Sequence, residues 1–297
     1  MKLGFVGFGE AAFEMAAGLK AQGLEKIAAY DSLWNHPVYG KLVQERAEQA
    51  QVKLENSLEC LFNLEEINIL IVAVPANKAY EVSETLKPYI NNKLVYIDVS
   101  ASSPNVKRNI NDNIKEKGAY FVDAAMMGPL PVYKHKVPIL ASGEGTDAFI
   151  DFMSPYGMDI TKVSENPGDA SAVKLIRSIF MKGLPALLLE MLEAASEFNV
   201  EELVINSISE TMNAKTFQET MNRLVTGTSI HALRRSIELE GSIEMLESSN
   251  LSSMMSRAAK DKLRLMADLN LKEKFQGKTP ESWLDVITAC KGQDLIS

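Results

Sequence analysis

The sequence predicts an α/β domain with a doubly wound parallel sheet, followed by an all-α domain, and three observations carry that prediction. A buried-strand pattern, Lys2-Leu3-Gly4-Phe5-Val6, runs directly into Gly7-Phe8-Gly9-Glu10-Ala11-Ala12 and then into a helical repeat. Apolar runs suited to buried strands alternate with helical stretches up to about residue 165. Beyond Asn166-Pro167-Gly168 the pattern is helical, with no convincing strand and no internal repeat.

The first unit has the form of a dinucleotide-binding start, a Rossmann βαβ. In the G-x-G-x-x-A turn Gly7 permits the tight turn, Gly9 lets the backbone approach a pyrophosphate, and Ala12 is small enough for helix and strand to pack closely. The following helix N-terminus, with Phe8, Glu10 and Ala11 around it, offers N–H groups to the phosphates. A second strand over 26–30 ends at Asp31-Ser32, the spacing at which such folds place an acid on the adenosine ribose. A carboxylate there accepts from the ribose hydroxyls and repels a 2′-phosphate, which favours NAD over NADP, although Lys41 and Arg46 lie downstream. The alternative is that Asp31 only caps the next turn.

The third strand is the continuous apolar run 67–74, broken at Pro75, so Val74 and Pro75 fall at a carboxyl end that faces the cofactor crevice. The run 94–98 is the next strand. After it come the polar loop Val99-Ser100-Ala101-Ser102-Ser103 and a helix start at Pro104. Runs 120–123 and 137–141 continue the sheet, and Gly143-Glu144-Gly145 turns into a helix. This places a dinucleotide-binding domain at 1–165 and a helical substrate and dimerisation domain at 166–297.

Composition restricts the function classes. The 297 residues exceed usual single-domain size, and 46% hydrophobic with 24% charged residues is ordinary for a globular protein. A net charge of −8 argues against a nucleic-acid or membrane-surface footprint. Cys60 and Cys290 suit reduced thiols, and His36, His135 and His231 lack metal-ligand spacing. A strand starting at residue 2 leaves no room for a signal peptide, and no apolar run is of membrane-spanning length, so the expected location is cytoplasmic.

From 169 to about 198 the helix is apolar around most of its circumference, which predicts burial between domains or between subunits. Lys174, Arg177, Ser178 and Lys182 recur on one face of it. A lysine in such surroundings has its charged form penalised and becomes a proton-transfer group, whereas a charged stripe of this kind otherwise marks a solvated edge. Arg177 is suited to hold a carboxylate or phosphate bidentately, or to pair with an acid on a neighbouring helix. Further on, helices are expected over 228–246 and 251–269, with Met245, Met254, Met255 and Met266 as packing filler. The basic segment Tyr133-Lys134-His135-Lys136 is either a pocket cover or a solvated loop.

Four segments taken in order resemble the β-hydroxyacid dehydrogenase superfamily, which includes 6-phosphogluconate and 3-hydroxyisobutyrate dehydrogenases, and especially its bacterial phosphogluconate-dehydrogenase-like subgroup with a distinct helical C-terminal domain. The glycine turn corresponds to the cofactor loop, and Asp98-Val99-Ser100-Ala101-Ser102-Ser103-Pro104 to a D-x-S-T-x-x-P substrate loop. Asp123-Ala124-Ala125-Met126-Met127-Gly128-Pro129 stands where the family has D-A-P-V-S-G-G. Gly168-Asp169-Ala170-Ser171-Ala172-Val173-Lys174, with Ser178, stands for G-x-G-x-x-x-K-x-x-x-N.

The resemblance implies hydride transfer between a nicotinamide cofactor and a small anionic 3-hydroxy acid. It assigns Lys174 as general acid/base, places Ser100, Ala101, Ser102, Met127, Gly128, Arg177 and Ser178 at the substrate, with Ser100 also at the cofactor, and implies a dimer built by the helical domain. The departures are Ala101 for threonine, Met127 for serine, Pro129 for glycine and Ser178 for asparagine; they point to a less polar or bulkier substrate. Met181 occupies the place of the acid in decarboxylating relatives, which argues against decarboxylation. Two other readings stay open: an imine-reductase-like enzyme, and a non-catalytic NAD(P)-binding sensor or assembly protein.

Overall fold

The computed structural model describes residues 2–63 and 67–291. In chain order the N-terminal elements are β1 (Lys2–Val6), α1 (Glu10–Ala21), β2 (Ile27–Tyr30), α2 (Gly40–Gln49), β3 (Lys53–Glu55), α3 (Leu58–Asn63), β4 (Ile67–Val72) and α4 (Ala79–Leu86). There follow β5 (Val95–Asp98), α5 (Pro104–Lys115), β6 (Tyr120–Met126), α6 (Leu130–Tyr133), β7 (Ile139–Ser142), α7 (Thr146–Met153) and β8 (Ile160–Ser164). The strands form one eight-stranded sheet in the order β3-β2-β1-β4-β5-β6-β7-β8. All neighbours pair in parallel except β6 and β7. The order reverses between β1 and β4, and a doubly wound sheet opens its ligand crevice at that switch point.

Alternation along the strands divides the core into two layers. Leu3, Phe5, Ile69, Ile71 and Ile97 pack on one face with Met15 and Leu19 of α1 and Phe149 of α7. Val6, Leu70, Val72, Tyr96 and Phe121 pack on the other with Leu86 of α4 and Ile110 and Ile114 of α5. Gly18 lies where α1 meets His135. A Cβ there would overlap the imidazole ring, so only glycine admits that buried side chain.

The remaining elements are helices: α8 (Asp169–Glu197), α9 (Glu201–Asn213), α10 (Phe217–Ser248), α11 (Met254–Asp268), α12 (Leu271–Lys274) and α13 (Trp283–Cys290). The chain divides into compact units at Ile179 and Phe180, inside α8. In the second unit Leu269, Leu271, Val286 and Cys290 form a small core.

Several expectations need correction. The strands β3 and β8 are absent from the sequence reading, because three residues of mixed polarity and an edge strand of alternating exposure lack a strong apolar signal. The strand read over 67–74 stops at Val72. The helix read over 228–246 is the 32-residue α10, which begins at a Thr216–Glu219 capping box. The helix read over 251–269 is Met254–Asp268. Within the chain α8 is only partly covered: Ala170, Ser171, Glu190 and Ala195 are buried, whereas Ile176 is 66% exposed and Ile179 75%. Periodicity records that a helix is apolar, not which surface covers it.

Candidate active site

The β1–α1 turn is glycine-built for steric reasons. Gly7 has φ +83°, and a Cβ on it would lie 2.5 Å from the Ala73 carbonyl oxygen. A Cβ on Gly9, by contrast, would have nothing within 4 Å, so the chain leaves open space before α1. No side chain caps that helix, whose first N–H groups face this space. An uncapped N-terminus behind an open glycine fits a pyrophosphate.

A cleft of about 520 Å³ opens here, lined by Gly7, Gly9, Asp31, Ser32, Val74 and Pro75 together with Lys78 and Glu81. Phe8 contributes no side chain to it, being fully buried in the core, as is Ala12; Glu10 is exposed and Ala11 half-buried. Asp31 plays the capping role and a second one. Its Oδ1 accepts from the Leu33 N–H at 2.8 Å and its Oδ2 from the Phe8 N–H at 2.6 Å, so the carboxylate fastens the glycine turn to the end of β2. Each oxygen retains a lone pair for a ribose hydroxyl. The downstream cation Lys41 pairs with Glu45 at 3.6 Å, and the lysine lining the cleft is Lys78, which pairs with Glu81 at 2.7 Å.

The loop after β5 is tied to the segment that follows the cleft-lining Pro75. Ser102 Oγ donates to the Ala76 carbonyl at 3.1 Å, and Ser100 and Ser102 share a hydroxyl bond of 2.8 Å. With the Ser102 proton committed to Ala76, Ser100 is the donor in that pair, and both protons are spent within the chain. Ser100 Oγ keeps its accepting capacity. Ala101 between them is exposed, and α5 starts with Ser103 as cap and Pro104 in its first turn.

Beneath this loop is a group the sequence reading missed. Lys107 is completely buried, its Nζ donating to the Asp98 carbonyl at 2.9 Å and lying 3.3 Å from Asp98 Oδ2 and 3.2 Å from Asp123 Oδ1. Asp98 Oδ1 accepts from the Ser100 N–H at 2.8 Å. Asp123 accepts from the Ser171 N–H at 2.8 Å and the Ser171 hydroxyl at 2.7 Å, and Ser142 Oγ accepts from the Ala170 N–H at 3.1 Å. The first turn of α8 is therefore capped from the sheet. Truncating Lys107 would leave buried carboxylates uncompensated, at a cost on the order of 3–5 kcal/mol. Burial, and then the Asp98 charge, push the neighbouring Tyr96 phenol well above its ordinary value. The available signal was position: Lys107, Ile110 and Ile114 share the buried face of α5.

Lys174 lies one turn beyond Ser171 and is half-buried, less enclosed than the sequence implied. Ser178 is half-buried, and Arg177 and Met181 are exposed. Among the described residues Arg177 and Ser178 make no side-chain hydrogen bond into the network. Met127 and Gly128 are half-buried after β6; the Met127 N–H donates to Pro138 at 2.8 Å, and a Cβ on Gly128 would come within 3.2 Å of the Tyr133 ring.

Residues 2–149 match the NAD binding domain of 6-phosphogluconate dehydrogenase, and residues 195–266 match a domain of unknown function, DUF1932. An uncharacterized 28.5 kDa protein of Methanothermus fervidus is 27% identical over 261 residues, 88% of this chain and 97% of that one. Among solved structures, a conserved protein described as structurally similar to 3-hydroxyacid dehydrogenases is 29% identical, with a TM-score of 0.62 over 94% of this chain and all of that one. An imine reductase variant from Myxococcus stipitatus, in complex with NAD+, shares the fold at 15% identity, with a TM-score of 0.72 over 98% of this chain and 99% of that one. No described helix is long and apolar enough to cross a membrane.

Proposed function

Because residues 2–149 belong to the NAD-binding domain family of 6-phosphogluconate dehydrogenase, we propose that the chain is an NAD(P)-dependent oxidoreductase acting on a small 3-hydroxy acid or related carbonyl acid, with Lys174 as general acid/base. The observation that carries this reading is the unbroken series of bonds from Ala76, the residue after the cleft-lining Pro75, through Ser102, Ser100, Asp98, Lys107 and Asp123 to Ser171. It couples the cleft to the turn that precedes the lysine.

The cofactor supplies or accepts the hydride at the carbinol carbon. Gly7 and Gly9 shape its phosphate seat, and Asp31 accepts from the ribose and disfavours a 2′-phosphate, so NAD is the preferred cofactor. Lys174 takes the hydroxyl proton during oxidation and returns it during reduction. Since the protons of Ser100 and Ser102 are committed, Ser100 acts as an acceptor and the exposed guanidinium of Arg177 is the group left to hold the substrate carboxylate. Ala101, Met127 and Gly128 border the substrate, and Ser178 reaches its hydroxyl. The uncovered apolar surface of α8 supports a homodimer.

The test is NAD reduction across a panel of short-chain 3-hydroxy acids by wild type and Lys174→Ala. Turnover that falls about 10²–10⁴-fold in the variant supports the reading. Cofactor binding without lysine-dependent turnover of any acid refutes it. The second reading, an imine reductase, is favoured by the TM-score of 0.72 and would show as reduction of cyclic imines by the same protein.

A further inference from the structure

We propose that Lys107 is a positioning residue for this site: its ammonium clamps the substrate loop and the start of α8 together, and through Asp123 it sets both the place and the electrostatic surroundings of Lys174. The inference rests on the assignment of Lys174 as the proton-transfer group. Lys107 does not line the cofactor cleft, so it acts without touching the cofactor. It joins two adjacent strands at residues that pair directly in the sheet, Asp98 closing β5 and Asp123 in the middle of β6.

Each carboxylate governs a different functional segment. Asp98 fixes the Ser100 amide, while Asp123 takes both the amide and the hydroxyl of Ser171. Ser171 lies in the first turn of α8, and Lys174 follows three residues later on the same helix. A simple structural staple would require only bridging groups. This one contains two carboxylates and one ammonium, leaving one net negative charge buried beside the helix start. Such a charge favours the protonated form of a nearby amine, and the effect scales with the net charge of the cluster.

The cluster's charge can be altered in both directions. Lys107→Met makes it more negative by one, and Asp123→Asn makes it neutral while keeping an acceptor for Ser171. The measurement is the pH dependence of Lys174 acetylation by acetic anhydride, followed by mass spectrometry on the full chain, with NADH affinity recorded on the same samples. The midpoint is expected to rise by about half a pH unit or more in Lys107→Met and to fall in Asp123→Asn, with NADH affinity within about twofold of wild type. Midpoints that stay put, or move together, in folded variants overturn the proposal. If Lys107→Met fails to fold, Asp123→Asn alone decides, since an unchanged or raised midpoint contradicts the coupling. Absence of hydroxy-acid turnover alongside opposite midpoint shifts would refute the proposed reaction and leave the clamp standing.

Discussion

Asp31 shows how one side chain serves two ends. Its carboxylate holds the glycine turn and caps the next one, and its free lone pairs face the cleft. In Asp31→Ala, NAD affinity is expected to fall by about tenfold or more, as loss of a charged hydrogen bond costs about 1.5–3 kcal/mol. NADP affinity should fall less, because a repelling charge is also removed. Titration of both cofactors by fluorescence checks this, and an unchanged ratio between them contradicts the assignment. Gly7 was legible in the sequence because its φ of +83° and the Ala73 carbonyl admit only glycine, whereas Gly9 and Asp31 were read from their spacing in the motif. Lys107 was not, because a lysine on a buried helix face is intelligible only once the topology brings Asp98 and Asp123 beside it.

Among the elements, α11 depends on a residue outside itself. Ser253 at its start does not cap it, its hydroxyl being donated to Glu247 instead. Glu190 of α8 does so, accepting from the Met255 and Ser256 amides at 2.8 Å and the Ser256 hydroxyl at 2.7 Å. Burial pushes the Glu190 carboxyl up, but these bonds outweigh it and hold the group below its ordinary value of 4.5. The depressed folded-state value means that the stabilisation is present above pH 4.5 and is lost as pH falls through the lower value of the folded state. Glu190→Gln is expected to cost about 1–2 kcal/mol at neutral pH, with a smaller cost in acid. Denaturant melts at the two pH values test it; an equal cost at both contradicts the cap. Helical periodicity located α8 and α11, but the cap joins residues 65 positions apart and left no local signal.

At the scale of the whole molecule, the succession of strands and then helices was readable because each fold class has its own hydrophobic period. The cover of α8 was not, since an apolar pattern does not say which surface lies against it. The proposed homodimer predicts that wild type sediments as a dimer, and that Ile179→Glu weakens association by on the order of a hundredfold through a charge placed in an apolar contact. A monomeric wild type contradicts it. Whether a proton-transfer lysine serves the nicotinamide site is decided by a single-turnover measurement. NADH formation would be followed with a 3-hydroxy acid in wild type and in Lys174→Met, a variant of similar volume that cannot carry a proton. Equal NADH binding by the two proteins is expected, with hydride transfer slowed by about 10²–10⁴-fold in the variant. Equal transfer rates at equal cofactor occupancy would contradict it.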